Sequence, residues 1–258
     1  MEKRKKRAMV LRRRKFQGVL NILSFNRHFY IYGLVALLVI ILIKVYFSIP
    51  DFAFWIIIVA FLYGLVMPLI VSAYVYDFSD YYSLRWLNQF NLKDKENQKI
   101  ININAGFDET SFLIKEEFPQ SELTVLDFYN PASHTEAAII RARKVSLVYP
   151  NTSKISTNHI PHQDNSADLI FMLSAVHEIR SNDEKILFLK ECHRICKPEG
   201  KVIMVEHLRD TANFLAFSIG FTHFFSRKVW EKSFKKAGFS SFKERKFTPF
   251  MSIFITTP

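Results

Sequence analysis

The stretch that decides the fold is KIININAGFDETSF, residues Lys99–Phe112. Its apolar run, Ile100–Asn104, is typical of a buried strand, and the residues that follow are typical of a turn leading into a helix. In parallel sheets such a turn often binds a nucleotide-type cofactor, because glycine lets the backbone approach the ligand closely. This turn has one glycine, Gly106, where two or three are usual. The stretch therefore predicts an α/β domain whose cofactor turn is reduced.

Strand and helix patterns alternate from Lys99 onward. The predicted strands are Ile100–Asn104, Leu123–Asp127, Ala167–Leu173, Lys201–Glu206, Phe242–Phe247 and Met251–Thr256. The predicted helices are Glu109–Glu117, Ser133–Arg143, Asp183–Cys196 and Arg227–Ala237. Strands that alternate with helices indicate a doubly wound, mostly parallel sheet. We expect residues 99–258 to form this domain.

Two long apolar segments precede the domain. Phe29–Ile43 has no charged residue, Lys44 follows it near the distal end, and Phe52–Tyr76 has none either. About 20 apolar residues suffice to cross a bilayer, and Pro50-Asp51 supplies a turn between the two segments. Residues 29–76 are therefore predicted to form a transmembrane helical hairpin, the alternative being two buried helices of a soluble bundle.

The basic character of the chain is concentrated at its N-terminus. Residues 1–28 hold ten Lys/Arg and one acid, whereas the other 230 residues hold 25 Lys/Arg and 23 Asp/Glu. The positive-inside rule keeps such a tail cytoplasmic, and two spans return the chain to the same side. We therefore expect the tail and the α/β domain to be cytoplasmic, with the tail near anionic lipid headgroups. This topology accounts for the charge without a nucleic-acid partner.

Residues 77–98 connect the hairpin to the domain. Tyr82, Trp86, Leu87 and Phe90 recur at helical spacing, which predicts an amphipathic helix. We expect it to pack against the domain, although its apolar side would also suit the membrane surface.

Four further stretches follow the glycine turn in a regular order. ELTVLDFYNP ends a strand at Asp127, 21 residues after Gly106, and IPHQDNSADLIFMLSAVHEI begins its strand at Asp168. FLKECHRICKPEGKVIMVEH joins a helix to a strand, and FSRKVWEKSFKKAGFSSF ends a late helix at Ala237-Gly238-Phe239. With the first turn, the five stretches cover about 160 residues, from Lys99 to Pro258.

Together these stretches resemble the class I S-adenosylmethionine-dependent methyltransferases, in particular the methyltransferase type 11 group that includes quinone-biosynthesis enzymes. The resemblance implies a Rossmann-like domain with S-adenosylmethionine as cofactor. It places Asn102 at the usual acidic position, and Asn104, Gly106 and Asp108 at the three glycine positions. The resemblance also implies that Glu191, Arg194, Lys197, Pro198 and Gly200 are in register with the family's helix-to-strand turn.

The resemblance implies that Asp127 binds both ribose hydroxyls, since a carboxylate can accept two hydrogen bonds from a vicinal diol. It implies cofactor contacts for Asn102, Asn104, Ala105, Gly106 and Ser174 as well. Asparagine tolerates a left-handed backbone better than most residues, so Asn104 is an acceptable replacement for glycine. Asp108 is suited to capping the following helix. Asp108 and Glu109 would repel a phosphate but not a cationic sulfonium, and the fingerprint of nicotinamide enzymes is absent.

Candidate catalytic residues follow the fourth and fifth predicted strands. His177 and Glu178 come after Leu173, and Glu206 and His207 end the next strand. Because ligands gather at the carboxyl ends of parallel strands, His177 or His207 is a candidate general base, with Glu178 beside the acceptor. The competing interpretation pairs Glu178 with Arg180 and Glu206 with Arg209.

We expect no metal site from sequence motifs. HEIRS lacks the second histidine of H-E-x-x-H, and Cys192, His193 and Cys196 do not have the closely spaced ligand pairs of zinc sites. The two cysteines are expected to be reduced thiols, as in a cytosolic protein.

The acceptor is predicted from the anchor and from the apolar segment Thr211–Phe225, which resembles a lid over the acceptor pocket. Both suit a small apolar or membrane-resident substrate: a lipid, a quinone precursor, or a hydrophobic thiol or phenol. A tethered enzyme with a soluble acceptor, or an inactive methyltransferase-like scaffold, are the alternatives, because fold alone does not establish function.

Overall fold

The computed structural model describes residues 13–90, 92 and 97–258. Much of the predicted basic tail, residues 1–12, lies outside this range. Three helices come first: α1 (Gln17–Phe25), α2 (Arg27–Tyr46) and α3 (Asp51–Ser72). Helices α2 and α3 are long and apolar enough to cross a membrane, and most of their side chains are exposed. Pro68 lies within α3 without ending it.

Helices α2 and α3 form an antiparallel pair. Lys44 closes the turn between them, because its ammonium lies 2.6 Å from the carboxylate of Asp51 and 2.5 Å from the carbonyl oxygen of Ile49. Gly33 lies against Leu65, and an added Cβ there would lie 2.7 Å from a Leu65 methyl group. This glycine therefore allows the two helices to approach closely.

The connector differs from the predicted amphipathic helix. After a π-helical stretch, Ala73–Phe78, it forms two short 3-10 segments, Tyr81–Ser83 and Arg85–Phe90. Leu84 between them has a φ of 53°, a left-handed conformation that interrupts any α-helix. The expected packing against the domain is confirmed, since Trp86 and Leu87 are buried in its core.

The α/β domain contains seven strands and five helices among the described residues. In chain order these are β1 (Lys99–Asn104), α4 (Ser111–Glu117), β2 (Glu122–Asp127), α5 (Ala137–Val145), β3 (Ser153–Lys154), β4 (Ala167–Leu173), α6 (Asn182–Ile195), β5 (Cys196–His207), α7 (Thr211–Phe217), α8 (Arg227–Ala237), β6 (Lys243–Thr248) and β7 (Met251–Thr256). All six predicted strands are present, and the short edge strand β3 was not predicted.

The strands form one sheet in the order β3-β2-β1-β4-β5-β7-β6. The first five are parallel, and β7 is antiparallel to both β5 and β6. The chain extends the sheet on one side of β1 through β2 and β3, then returns to begin β4 on the other side. The carboxyl ends of β1 and β4 are therefore a topological switch point, where doubly wound sheets bind ligands.

Alternate strand residues supply the cores on the two faces of the sheet. Ile101, Ile103 and Met204 belong to one buried cluster with Phe188 of α6 and Trp230 of α8. The other cluster contains the intervening strand residues together with parts of α4, α7 and the connector. This period-two burial explains the continuous apolar runs of the strands, since both faces are covered.

The motif residues before β5 hold the frame together. Arg194 donates hydrogen bonds to both carboxylate oxygens of Glu191, at 2.9 and 2.7 Å, and to the carbonyl oxygen of Ile160. Lys197 lies 2.8 Å from the carboxylate of Asp168, which also accepts from the backbone N–H of Lys99. These contacts tie α6 and β5 to the loops on the amino side of the sheet, away from the switch point.

Candidate active site

The glycine turn follows β1 at the switch point. Gly106 has a φ of 79°, and its N–H donates to the side-chain carbonyl of Asn104 at 2.7 Å. The expectation of a left-handed Asn104 is wrong: it is the last residue of β1, and its side chain stabilises the turn instead. Asp108 caps α4 as expected, because its carboxylate accepts from the backbone N–H groups of Thr110 and Ser111 at 3.0 and 2.9 Å.

Asn102 and Ala105 support this turn from inside the domain. The side-chain amide of Asn102 donates to the hydroxyls of Ser111 and Thr110, at 2.8 and 3.2 Å. Both Asn102 and Ala105 are almost fully buried. Asn102 therefore holds the start of α4 against β1, and its role towards a cofactor stays a prediction.

Asp127 ends β2 beside the turn and is paired with Arg143 of α5. The guanidinium nitrogen lies 3.0 Å from the Asp127 carboxylate, and the guanidinium carbon lies 3.8 Å from the centre of the Tyr129 ring. A Cβ added at Gly106 would lie only 1.1 Å from the same nitrogen. Arg143 therefore covers both Gly106 and Asp127, a contact that the sequence did not signal because 16 residues separate it from Asp127.

Ser174 lies at the carboxyl end of β4, where the connector reaches the sheet. It has a φ of 52°, and its hydroxyl is 3.0 Å from that of Tyr81. The hydroxyl of Tyr76 lies 2.9 Å from Nε2 of His207 at the end of β5. Two tyrosines of the segment that follows α3 therefore cover this edge of the sheet.

His207 is a buried, neutral imidazole. Its Nδ1 faces two acceptors, the carbonyl oxygen of Phe250 at 2.9 Å and the side-chain oxygen of Asn213 at 3.1 Å. Nδ1 therefore carries the proton, and Nε2 accepts from the hydroxyl of Tyr76. Burial lowers the pKa of His207 to about 4, although these hydrogen bonds oppose the shift.

His177 lies in a 3-10 turn, Val176–Glu178, directly after β4. Its Nδ1 is 2.7 Å from the Glu206 carboxylate, and its Nε2 is 3.5 Å from that of Glu178. Burial alone would lower the pKa of His177, but the two carboxylates raise it to about 10. Glu206 also accepts from the backbone N–H groups of Val176 and His177. Among the described residues, the competing pairings are not formed: Glu178 and Glu206 pair with His177, whereas Arg180 and Arg209 donate to backbone carbonyl oxygens.

Two residues that sequence reasoning missed complete this cluster. The His223 ring lies 5.2 Å from the His177 ring, centre to centre, and its Nδ1 lies 3.4 Å from the Glu136 carboxylate. The hydrogen bond from His223 lowers the pKa of Glu136 despite partial burial. The available signal was His223 itself, the one ionisable residue in the aromatic-rich segment Thr211–Phe225.

The predicted residues thus fall into three neighbouring groups at the carboxyl edge of the sheet: the glycine turn with Asp127, the cluster around His177, and His207 under Tyr76. A doubly wound sheet with a glycine turn after β1 and a carboxylate at the end of β2 defines a Rossmann-like, cofactor-binding domain.

Comparisons with known proteins show what this domain resembles. A methyltransferase domain family matches residues 103–204. Norreticuline-7-O-methyltransferase of Papaver somniferum is 29% identical over 57% of this chain and 41% of its own. The chain thus spans about two fifths of the length of that curated relative.

Solved structures show the same fold. A SAM-dependent methyltransferase from Aquifex aeolicus superposes with a TM-score of 0.51, 18% identity and coverage of 71% of this chain and 92% of its own. Human N-acetylserotonin methyltransferase in complex with SAM gives a TM-score of 0.50, 14% identity and coverage of 76% and 55%. The domain is thus similar to a methyltransferase domain over residues 103–204 and has the fold of the S-adenosylmethionine-dependent methyltransferases, a likeness that makes S-adenosylmethionine the cofactor to test.

The residues at the switch point fit this cofactor once Arg143 moves. Gly106 has the positive φ and the lack of a side chain that close approach requires. The Asp127 carboxylate faces the same space, and the buried side-chain nitrogen of Asn104 has no hydrogen-bond partner among the described residues. Arg143 occupies this space with a long, partly exposed side chain, so cofactor binding requires that side chain to move.

Proposed function

We propose that the protein is a membrane-anchored methyltransferase that uses S-adenosylmethionine to methylate a small apolar or membrane-resident acceptor. Bound S-adenosylmethionine supplies a methyl group that its sulfonium has already activated. Asp127 would hold the ribose hydroxyls, and Gly106 would allow the cofactor to approach the backbone. The cofactor carries the difficult chemistry, so the chain needs mainly to bind, orient and exclude water.

The anchor is supported by the length and exposure of α2 and α3. Helices of 20 and 22 residues are about 30–33 Å long at 1.5 Å per residue, which matches a hydrocarbon core of about 30 Å. Large apolar side chains point outward along both, including Leu38 (61% exposed) and Ile56 (64% exposed). A soluble bundle would bury such side chains.

The acceptor class rests on one observation: the apolar lid contacts the middle of α3. The hydroxyl of Tyr63 donates to the carbonyl oxygen of Leu215 in α7 at 2.7 Å. Tyr63 lies nine residues before the end of α3 at Ser72, or ~13 Å along the helix axis. The adjoining lid exposes Phe214, Leu215 and Ile219, the last at 84%. An exposed apolar lid at this height along a membrane helix would enter the bilayer and face acceptors dissolved there.

His207 and His177 take different parts in this proposal. His207 is neutral, and the lone pair of its Nε2 is engaged by Tyr76, so it is suited to positioning the connector rather than to accepting a proton from the acceptor. His177 and Glu178 are 17% and 11% exposed at the side chain and face the lid through His223. We place the acceptor's reacting atom on their side of the edge.

The test uses the full chain in detergent micelles and S-adenosylmethionine carrying a radiolabelled methyl group. Calorimetry should detect cofactor binding that is lost in Asp127→Asn, a variant of nearly the same size. Membrane lipid extracts should then become labelled in the organic phase only with the wild type. Binding without lipid labelling, together with labelling of a water-soluble fraction, would contradict the membrane-resident acceptor.

An inactive scaffold is the second candidate, and Arg143 is the observation that favours it. Its guanidinium occupies the cofactor side of Gly106 and pairs with Asp127, as a permanent substitute for a ligand would. A folded protein that fails to bind millimolar S-adenosylmethionine, both as wild type and as Arg143→Ala, would favour this candidate.

A further inference from the structure

We infer that His177, Glu178 and His223 form a binding site for a divalent transition-metal ion, with Zn²⁺ as the best-suited ion. This inference goes beyond the proposed methyl transfer and departs from the sequence-based expectation of no metal. The three residues come from two separate segments, the 3-10 turn after β4 and a 3-10 stretch, Ser218–His223, in the apolar lid.

The ligand atoms are already close together. One side-chain nitrogen or carboxylate oxygen from each of the three residues lies within 4.8 Å of the others. A tetrahedral Zn²⁺ with ligands at 2.0–2.1 Å separates its ligand atoms by roughly 3.3 Å. Nε2 of His177 and the carboxylate oxygen of Glu178 are 3.5 Å apart, so these two atoms already have nearly the separation of two zinc ligands.

Each histidine is oriented by a carboxylate on its other nitrogen. Glu206 lies 2.7 Å from Nδ1 of His177, and Glu136 lies 3.4 Å from Nδ1 of His223. Histidines that bind metals commonly donate their second N–H to a carboxylate, which sets the tautomer and directs the free nitrogen at the ion. Here both rings have such a partner, and in both Nε2 remains for the metal.

The charge of the cluster also suits a dication. Glu136, Glu178 and Glu206 surround the two rings, and Arg180 donates to the backbone carbonyls of His177 and His223 at 3.1 and 2.6 Å. Metal binding requires both rings to be neutral, so the proton on His177 must leave as the ion binds. Three carboxylates and one guanidinium then leave a formal charge of −2. A divalent cation balances that charge in place of the His177 proton.

Two histidines and one glutamate leave at least one coordination position open. Catalytic zinc sites have three protein ligands and an open position, whereas structural sites are closed by four. All three ligand residues here are partly exposed, His223 at 29% of its side chain. Where the proposed function holds, the open position would bind the acceptor's hydroxyl or thiol and lower its pKa; the binding of the ion does not depend on that function.

The test is metal binding by the full chain in detergent, stripped with chelator and titrated with Co²⁺ and then Zn²⁺. We expect one ion per chain, a visible Co²⁺ spectrum typical of low coordination number, and displacement of Co²⁺ by Zn²⁺. Glu178→Gln and His223→Ala should each weaken Co²⁺ binding at least tenfold. Glu136→Gln, which alters only the orientation of His223, should weaken it roughly 10–100-fold.

His159→Ala is the matched control. His159 also lies beside a glutamate, Glu191 at 3.7 Å, but it is 73% exposed and is not one of the three clustered ligand residues. Its replacement should leave the stoichiometry and affinity unchanged. Circular dichroism and a melting curve establish that each variant folds, and Glu178→Gln preserves side-chain volume.

Absence of a bound ion in the folded wild type, or equal Co²⁺ affinity in wild type and Glu178→Gln, would overturn the inference. The titration contains no S-adenosylmethionine, and cofactor calorimetry is run on the same samples. Loss of one binding event without the other therefore separates failure of the metal site from failure of the proposed function.

Discussion

At the scale of single residues, Arg143 decides how readily the cofactor turn can be used. Its guanidinium lies on Gly106 and pairs with Asp127 at 3.0 Å, so cofactor binding must first break that pair. A partly exposed ion pair stabilises by about 1 kcal/mol or less. Breaking the Arg143–Asp127 pair therefore costs little free energy, and the Arg143 side chain competes with the cofactor for the site.

Removing that competitor should strengthen cofactor binding. Arg143→Ala is expected to lower the Kd for S-adenosylmethionine by about fivefold, the factor that ~1 kcal/mol represents. Calorimetry on detergent-solubilised protein measures this Kd. Lys144→Ala, on the same helix, is the control and should leave the Kd unchanged. A weaker affinity in Arg143→Ala would mean that the guanidinium contacts the cofactor instead of excluding it.

His207 and His177 should affect stability in opposite pH ranges. In the unfolded chain His207 has a pKa of ~6.5, whereas in the folded protein its pKa is about 4. Between these values only the unfolded chain binds the proton, so the free energy of unfolding decreases as the pH falls from ~6.5 towards 4. The folded His177, with a pKa of about 10, stabilises below pH ~6.5 and loses this contribution as the pH rises towards 10.

The melting temperature of chelator-treated protein should therefore be highest near pH ~6.5. In a plot of melting temperature against pH, His207→Gln should flatten only the acidic side. His177→Gln should flatten only the alkaline side. His159→Gln, an exposed replacement, should preserve the shape. An acidic side that is unchanged in His207→Gln would show that the folded His207 is not held neutral.

At the scale of elements, the connector couples the apolar helices to the cofactor edge. Helix α1 packs against the π-helical stretch after α3, where Gly18 donates its backbone N–H to Asp77 at 2.8 Å. Arg13 extends the same contact, lying 2.9 Å from Glu109 of the cofactor turn and over the Tyr82 ring. The first helix, the connector and the turn are therefore one packed unit.

Gly18 is the residue on which that packing depends. A Cβ at Gly18 would lie 2.6 Å from the Cβ of Tyr76 and 3.1 Å from the carbonyl oxygen of Ser72, atoms that move only with the backbone. Gly18→Ala should therefore lower the melting temperature by roughly 3–10 °C, as overpacking does. Gly64→Ala, where nothing lies within 4 Å, is the control and should leave the melting temperature the same or raise it. Equal melting temperatures in the two variants would contradict the packing.

At the scale of the whole molecule, the proposed topology places both ends of the hairpin on one side of the membrane. Ser48 lies in the turn between α2 and α3, Ser133 lies in the α/β domain, and both are exposed. The native thiols, Cys192 and Cys196, are buried. In intact cells, a membrane-impermeant maleimide should label Ser48→Cys and should label Ser133→Cys only after lysis. The reverse pattern, or labelling of both in intact cells, would refute the topology.

Local patterns predicted six of the seven described strands and the four helices expected in the domain, because strands buried on both faces must be apolar throughout. Helices α1 and α7 and the short strand β3 were not predicted. The predicted amphipathic helix of the connector was wrong: Trp86 and Leu87 have helical spacing, but Leu84 between the two short segments is left-handed, and both side chains are buried in the domain.

The sequence by itself determined the alternation of strands and helices, the two apolar segments, and the residue types at the ends of β1, β2, β4 and β5. These depend on periodicity and composition, which act between near neighbours. Only the tertiary structure decided that Arg143 covers Asp127, that Tyr76 binds His207, and that His223 and Glu136 join His177. Such contacts link residues 16 to 131 positions apart, and they exist because the parallel strands bring their carboxyl ends to one edge.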